Sequence, residues 1–442
     1  MVGRVHTFFL EYWFRFYGLV TFLGLRFLLK RYSATGRLAK AAGSKKRLLY
    51  VAASCLPFHN SGYTNRTRAI IHALLKTGLD MRVMTRPGYP WDRTDRLAEP
   101  EQATTDTSGV LYRHNQNPSN FRPLLQFVVQ GSAVIAQEAK KEGVDVIHAA
   151  SNHWNALPAL YAARKLGIPF FYEMRGLWEL SRASRMPWFE NSGEYRLGLA
   201  LEEFVARHAD RVFVISEQLR QYAHVHWGIP LERMALMPNC VTPEHFVPVS
   251  QDMVEADTIV YAGSLIAYEG LDTLLEAVSL IVQRGGVLRV RIVGHGEAKA
   301  DLEALSERLG LSSVVQFLGR VSPDVARTMV AQAALVCIPR KPFKVCKIIP
   351  PIKMVEAMAL AKPVIVPDLP VFRDELGADP AGWFFKAGDS ASLADVIESA
   401  LQDKEQLAIY GAKAREYAVT HRSWRTHVAG VAAAMGIGES VE

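Results

Sequence analysis

Cysteine is scarce in this chain. The four present, Cys55, Cys240, Cys337 and Cys346, form no CxxC pair and no Cys/His cluster. That spacing argues against a disulfide framework or a structural zinc site and predicts reduced, buried thiols, as expected in the cytoplasm. An uninterrupted run of about 20 apolar residues, the length needed to cross a bilayer, is also missing. The most apolar stretch, Phe8 to Lys30, is broken by Glu11, Arg15 and Arg26. No small-residue cleavage site follows it, which argues against export. The chain has no three-glycine dinucleotide pattern, no nucleophile elbow around Ser216 and no DxD cluster. A catalytic serine is therefore not expected, and no metal ligands are assigned.

What is present describes an ordered α/β protein. With 442 residues, 49% hydrophobic and 21% charged, the chain exceeds one ordinary core and suits two domains of roughly 200 residues each. The formal charge of +7 points to anionic partners, among them nucleotide phosphates and acidic lipid. Nucleic acid is not expected as a partner, because the charges are scattered among apolar, sheet-like units. Residues 1–45 read as an amphipathic segment and basic linker. Aromatics, leucines and cations mixed over Phe8–Lys30 suit a helix lying at an anionic membrane surface, or one packed on the protein itself. Lys30, Arg31, Arg37, Lys40, Lys45, Lys46 and Arg47 follow and could face anionic lipid or equally form a solvated linker.

Residues 46–245 repeat strand, helix, strand, the rhythm of a parallel sheet. A strand near Leu48–Ala53 leads to a loop with Gly62, a helix over Thr64–Thr77 and a strand over Met81–Thr85. Polar residues 88–109 read as an irregular excursion. Helix Leu124–Glu142, strand Asp145–Ala149, helix Leu157–Leu166 and strand Pro169–Tyr172 follow. His153, Glu173, Arg175 and Glu179 fall on loops at the carboxyl ends of these strands, where open α/β sheets gather functional groups. His153 could polarise a hydroxyl or simply bond its own loop. Arg175 could hold an anion or pair with Glu173 or Glu179.

Residues 246–410 repeat the rhythm. The strand TIVYAGS ends at Gly263 and Ser264, ahead of Glu269, Gly270 and a helix over Leu271–Gln283, so the backbone of that turn could hold a diphosphate. Gly294, His295 and Gly296 form the next turn. Ser322 and Pro323 mark a helix start. The segment from Cys337 to Phe372 sets Arg340, Lys341, Lys344 and Lys347 ahead of a helix carrying Lys353 and Glu356. Cations near a helix start favour an anion, and a carboxylate one turn in accepts bonds from hydroxyls. Helices over Ser390–Gln402 and Glu405–Met435 close the chain. Residues 411–442 are read as a C-terminal helix crossing back toward the first domain.

Taken together, SGYTNRTRAIIHALL, YEMRGLWE, YAGSLIAYEGLDTLLEA, IVGHGE, FLGRVSPDV and PRKPFKVCKIIPPIKMVEAMALAKPVIVPDLP resemble the family 4 glycosyltransferases of the GT-B class, in particular bacterial enzymes of capsule or exopolysaccharide synthesis. The resemblance covers most of residues 48–435. It implies two Rossmann-like domains facing across a cleft and retaining transfer from a nucleoside diphosphate sugar, read as UDP-linked, with no obligatory cofactor. The implied acceptor is a lipid-linked or growing envelope glycan, and the implied location is the inner face of the cell membrane. Glu356 matches the second glutamate of the family's Glu-x7-Glu feature, which receives the donor ribose, while Ile348 stands where the first glutamate belongs. The resemblance matches His153 and Arg175 to catalysis and Gly62 and Glu356 to the donor, while Arg340 and Lys353 stand in, for both roles, for the Arg and Lys that many members place after the first strand of the second domain. The turn residues Gly263, Ser264 and His295 complete the expected donor set, His295 being equally explained as a solvent-facing loop residue. A sugar-nucleotide epimerase and a noncatalytic glycan- or lipid-binding protein are the alternative readings.

Overall fold

The computed structural model describes residues 2–33, 46–377 and 379–435; Arg37, Lys40 and Lys45 of the basic linker lie outside them. The chain forms two compact units, which divide at Met237 and Pro238. The turn Ser216–Gln218 groups with the second unit, and the chain from Val428 onward groups with the first.

The first unit is built on an eight-stranded sheet in the order β3-β4-β2-β1-β5-β6-β7-β8. Its strands are β1 (Arg47–Ala52), β2 (Asp80–Thr85), β3 (Thr104–Thr107), β4 (Val110–Arg113), β5 (Val146–Ala150), β6 (Phe170–Met174), β7 (Arg211–Val214) and β8 (Met234–Leu236). Every pairing is parallel except β3 with β4. Strands covered on both faces need near-continuous apolar runs; β5, VIHAA, and β6, FFYEM, are buried at every position. The polar 88–109 stretch, predicted to be irregular, in fact contributes β3. Its Asp106 side chain accepts from the Gly109 amide at 2.9 Å, which closes the β3–β4 turn.

The first helix, Val2–Ser33, packs on the helices Leu124–Lys141, His153–Leu166 and Gly193–His208 of this unit. Thr21 and Leu25 are buried. Tyr161 donates to the Leu25 carbonyl at 2.6 Å, and Phe22 meets Phe204 with ring centroids 5.8 Å apart. Gly24 permits the close approach, since a Cβ there would lie 2.7 Å from Leu125. The opposite side is apolar too: Trp13, Phe16, Leu19, Leu23 and Phe27 are each between 58% and 65% exposed. Packing on the protein thus uses one face of the helix and leaves a second apolar face open. No helix among the described residues is long and apolar enough to cross a membrane.

The second unit carries a six-stranded sheet in the order β11-β10-β9-β12-β13-β14. The strands are β9 (Glu255–Ala262), β10 (Arg289–Val293), β11 (Val315–Gly319), β12 (Ala333–Cys337), β13 (Val364–Pro367) and β14 (Gly382–Phe385), and all pair in parallel. Helices Leu271–Gln283 and Ser390–Gln402 pack together on one face. The Ser322 hydroxyl caps Pro323–Gln332 by accepting from the Val325 amide. The single helix predicted over Glu405–Met435 is instead two, Lys404–His421 and Trp424–Ala434. Ser423 accounts for the break. Its flanking backbone bonds to Val241 on both sides, and its hydroxyl accepts from the Thr426 amide to start a new helix. All four cysteines are free and buried.

Candidate functional site

In the second unit β9 is flanked by β10 on one side and β12 on the other. The chain therefore leaves the sheet in opposite directions at the carboxyl ends of β9 and β12, the place where open α/β sheets bind ligands. The loops there meet backbone to backbone. A Cβ at Gly294, whose φ is +141°, would fall 1.8 Å from the Gly263 carbonyl oxygen, and one at Gly296 would fall 2.1 Å from that of Leu265. The result is a shelf with little side-chain cover, on which Ser264 and His295 are exposed.

Beneath the shelf, three charged groups converge. Arg340 donates to Glu269 through Nε at 3.2 Å and Nη2 at 2.8 Å, and through Nη1 to the Ile349 carbonyl at 2.9 Å. Lys353, in the first turn of the helix Ile352–Ala359, donates to Glu269 at 2.6 Å and to the Tyr261 hydroxyl at 2.8 Å. Burial alone would push the Glu269 carboxyl up, but Arg340 and Lys353 overcome it and hold the group at about 2. Burial lowers the Lys353 ammonium, and Glu269 pulls it partly back. Two cations against one carboxylate leave the cluster with a net positive charge, which suits an anion on the shelf above.

Glu356, one turn beyond Lys353, is partly buried, and no donor reaches its carboxylate among the described residues. Burial raises its carboxyl, opposed by Arg327 and Lys353. A carboxylate left without a partner at the edge of a site is open to hydroxyls of a ligand. Ile348 ends the short helix Lys344–Ile348 and brings no charge.

The expected role of the Gly263 amide needs correction. It donates to the Val293 carbonyl at 2.9 Å, so it is not free for a phosphate. The Ser264 amide has no acceptor among the described residues. Gly263 matters instead through its missing side chain, since a Cβ would come within 2.8 Å of Lys353 Cε.

In the first unit, Gly62 opens the helix Gly62–Lys76, behind a capping box of Ser61 and Thr64. Arg175 lies just past β6, and its role as a residue touching substrate is also revised. All five guanidinium N–H donors meet protein acceptors: Nε and Nη2 to Glu173 at 2.8 and 2.9 Å, Nη2 to Tyr50 at 2.6 Å, and Nη1 to Thr67 at 2.7 Å and the Tyr63 carbonyl at 3.1 Å. Arg66 donates to the same Glu173 at 3.2 Å. Burial would raise the Glu173 carboxyl, but Arg175, His148 and Arg66 hold it well below the usual range. Arg175 therefore fixes the start of the Gly62 helix against β6.

His153 and Glu179, predicted on loops, are helical. Helix His153–Leu166 begins before Pro158 and runs through it, whereas the sequence suggests a start beside the proline. The His153 amide and Nδ1 both donate to Glu202, at 2.6 and 3.0 Å, and Tyr172 holds the other Glu202 oxygen. Glu179 lies in the first turn of Trp178–Arg185, its Oε1 3.9 Å from His153 Nδ1. Its Oε2 is buried with no partner among the described residues. Burial, reinforced by Glu202, pushes its carboxyl up to about 7. These three residues are the group among the described residues whose donor atoms could hold a metal, all within 4.8 Å of one another. Glu202 is already satisfied by protein donors, and a proton on Glu179 relieves the remaining charge. Exposed Trp178 and Trp188 pack edge-on to buried Phe189 nearby.

Glu269 lies outside the donor set expected from the sequence, and Tyr261, Glu202 and Tyr172 are not among the expected site residues. Glu269 was visible as a carboxylate at the mouth of the sheet. The other three are strand or helix residues with no local signal.

Residues 61–240 match the model described as glycosyl transferase 4-like domain, and residues 249–417 match glycosyl transferases group 1. The chain belongs to the family 4 glycosyltransferases of the GT-B fold. It is similar to a phosphatidyl-myo-inositol mannosyltransferase of Mycobacterium leprae, with 30% identity over 33% of this chain and 38% of that protein. It also resembles the amylovoran biosynthesis glycosyltransferase AmsK of Erwinia amylovora, with 22% identity over 41% and 45% of the two chains. The chain thus spans less than half the length of these curated relatives. Anabaena HepE, solved with UDP and glucose, shares the fold at a TM-score of 0.67 and 18% identity, over 88% of this chain and 99% of that one.

Proposed function

We propose that this protein transfers a sugar from a nucleoside diphosphate sugar, UDP-linked, to a hydroxyl of a lipid-linked or growing bacterial envelope glycan, with retention of configuration. The observation that carries the proposal is the cluster of Arg340, Lys353 and Glu269 under the glycine shelf, with unpartnered Glu356 one helical turn away. In that arrangement the surplus positive charge and the Ser264 amide take the diphosphate, and Glu356 takes the ribose hydroxyls.

As the glycosidic bond to the donor breaks, negative charge gathers on the leaving diphosphate, and fixed cations stabilise that charge without reorganisation. The leaving phosphate oxygen accepts the proton of the incoming hydroxyl on the same face, so no protein nucleophile is assigned. His153, held by Glu202, is assigned to the transferred sugar on the family resemblance alone. Arg175 positions the Gly62 helix start. His295, exposed on the shelf, borders the donor.

The exposed apolar face of the first helix rests on an anionic membrane from the cytoplasmic side, near a lipid-linked acceptor. Full burial of one large apolar side chain stabilises by about 1.5–3 kcal/mol. Five such side chains left more than half exposed therefore supply a driving force of several kcal/mol.

A panel of nucleotide sugars, each offered with polyprenyl-linked acceptors and read by mass spectrometry, tests the proposal. The expected result is consumption of a UDP-sugar and an acceptor heavier by one sugar. Failure of every donor to bind or react overturns it, and epimerised donor without acceptor would favour an epimerase.

A further inference from the structure

We propose that the groove between the first helix and the helix Gly193–His208 binds the headgroup phosphate of an anionic phospholipid. This inference rests on the membrane reading above and names the lipid chemistry that the surface selects.

The groove holds about 520 Å³ and lies wholly within the first unit. Phe22 and Phe204, in ring contact, line it on the apolar side. Arg26, Glu203, Arg207 and His208 supply the polar lining. Arg26 is exposed and has no hydrogen-bond or ion-pair partner among the described residues. Arg207 donates from Nε to Glu203 at 2.6 Å, while both of its terminal nitrogens lack an acceptor among the described residues. His208 donates from Nδ1 to the Phe204 carbonyl at 2.7 Å. Burial, opposed by the bond to the Phe204 carbonyl and assisted by Arg164, Arg233 and Arg207, lowers its imidazole, which disfavours a charged ring. Arg26 and Arg207 against Glu203 leave one formal positive charge, and the planar ends of two arginines match a phosphate's oxygens.

Position supplies the second argument. Arg26 follows Leu23 by three residues and precedes Phe27 by one, so the groove opens along the exposed apolar face. A phosphodiester between Arg26 and Arg207 would leave its acyl chains beside Leu19, Leu23 and Phe27. A soluble anion would use the two arginines but none of that apolar surface, which is why a lipid is the favoured occupant.

The test is sedimentation of the full chain with vesicles of phosphatidylcholine alone and of equal parts phosphatidylcholine and phosphatidylglycerol. Wild type is expected to bind both and to prefer the anionic vesicles roughly tenfold or more, from about 1 kcal/mol per basic residue near the surface. The pair Arg26→Ala with Arg207→Ala should lose that preference and keep its binding to phosphatidylcholine. Lys30→Ala with Arg31→Ala, on the same helix but outside the groove lining, should keep most of it. Preference that survives the groove pair, or that is lost equally with the Lys30 and Arg31 pair, overturns the headgroup site and leaves the membrane reading intact. Wild type that sediments with neither vesicle overturns the membrane reading itself. Unchanged melting temperatures establish that the variants are folded.

Discussion

Arg340 and Lys353 reach the same carboxylate, Glu269, from sequence distances of 71 and 84 residues. The loop after β9 is thereby tied to the loop and helix after β12. The pair is buried and charged, so removing the carboxylate leaves two cations without compensation. Glu269→Gln is expected to lower stability at neutral pH by about 3–5 kcal/mol, read from urea midpoints. The carboxyl sits at about 2 in the folded protein against an ordinary glutamate value of 4.5. Its contribution is complete above pH 4.5 and declines as pH falls toward 2, so the gap between wild type and variant should close over that window.

Glu179 predicts the opposite sign. Its folded value of about 7 lies above the ordinary glutamate value of 4.5, so the folded state holds a proton that the unfolded chain releases. The cost of ionising it appears as pH rises from 4.5 through 7 and is complete above that, up to about 3 kcal/mol. Glu179→Gln should therefore gain stability relative to wild type between pH 5 and pH 8. Chemical denaturation across that range measures it, and a constant difference would refute the buried proton.

Gly263 and Gly294 separate binding from folding. An alanine at 263 meets the flexible end of Lys353, which can move, whereas one at 294 meets the backbone oxygen of Gly263 at a positive φ. Gly263→Ala should weaken UDP binding about tenfold in calorimetry, the loss of one charge-assisted contact, with little change in melting temperature. Gly294→Ala should destabilise the second unit by several kcal/mol, since backbone cannot give way as a side-chain end can.

For Arg175 the expected outcome is structural. Arg175→Met leaves Glu173 with Arg66, His148 and the Tyr50 hydroxyl as its remaining partners in the buried cluster, so a loss of about 3 kcal/mol or more is expected. UDP affinity should be unchanged. A variant of normal stability with slowed transfer would restore the view that Arg175 touches substrate.

The parallel sheets, the helix Leu271–Gln283 and the Ser322 cap were legible because each rests on a local signal: an apolar run, a glycine stop, a hydroxyl three residues before an unpaired amide. The site was legible only in part. Arg340, Lys353 and Glu356 stood out as charges beside a helix start, but nothing local tied Arg340 to Glu269, because the sheet alone brings them together. For Arg175 the sequence offered an anion or a neighbouring glutamate; Glu173 is the partner, while Tyr50, Tyr63 and Thr67 complete its set from segments more than 100 residues away, where no local signal reaches. Pro158 misled the reading of His153, because a proline near a helix start resembles the start itself.

The anchoring of the first helix bears on how the protein can be handled. Trimming the chain to begin at Lys46 would look like a simple way to remove a greasy appendage and improve solubility. With Leu25, Thr21 and Tyr17 gone, Tyr161 and the Leu124 amide would lose hydrogen-bond partners, and Phe204 and Leu125 would lose their cover. One sticky surface would be exchanged for another. Detergent, or charged replacements confined to Phe16 and Leu23, is the sounder route to a well-behaved preparation.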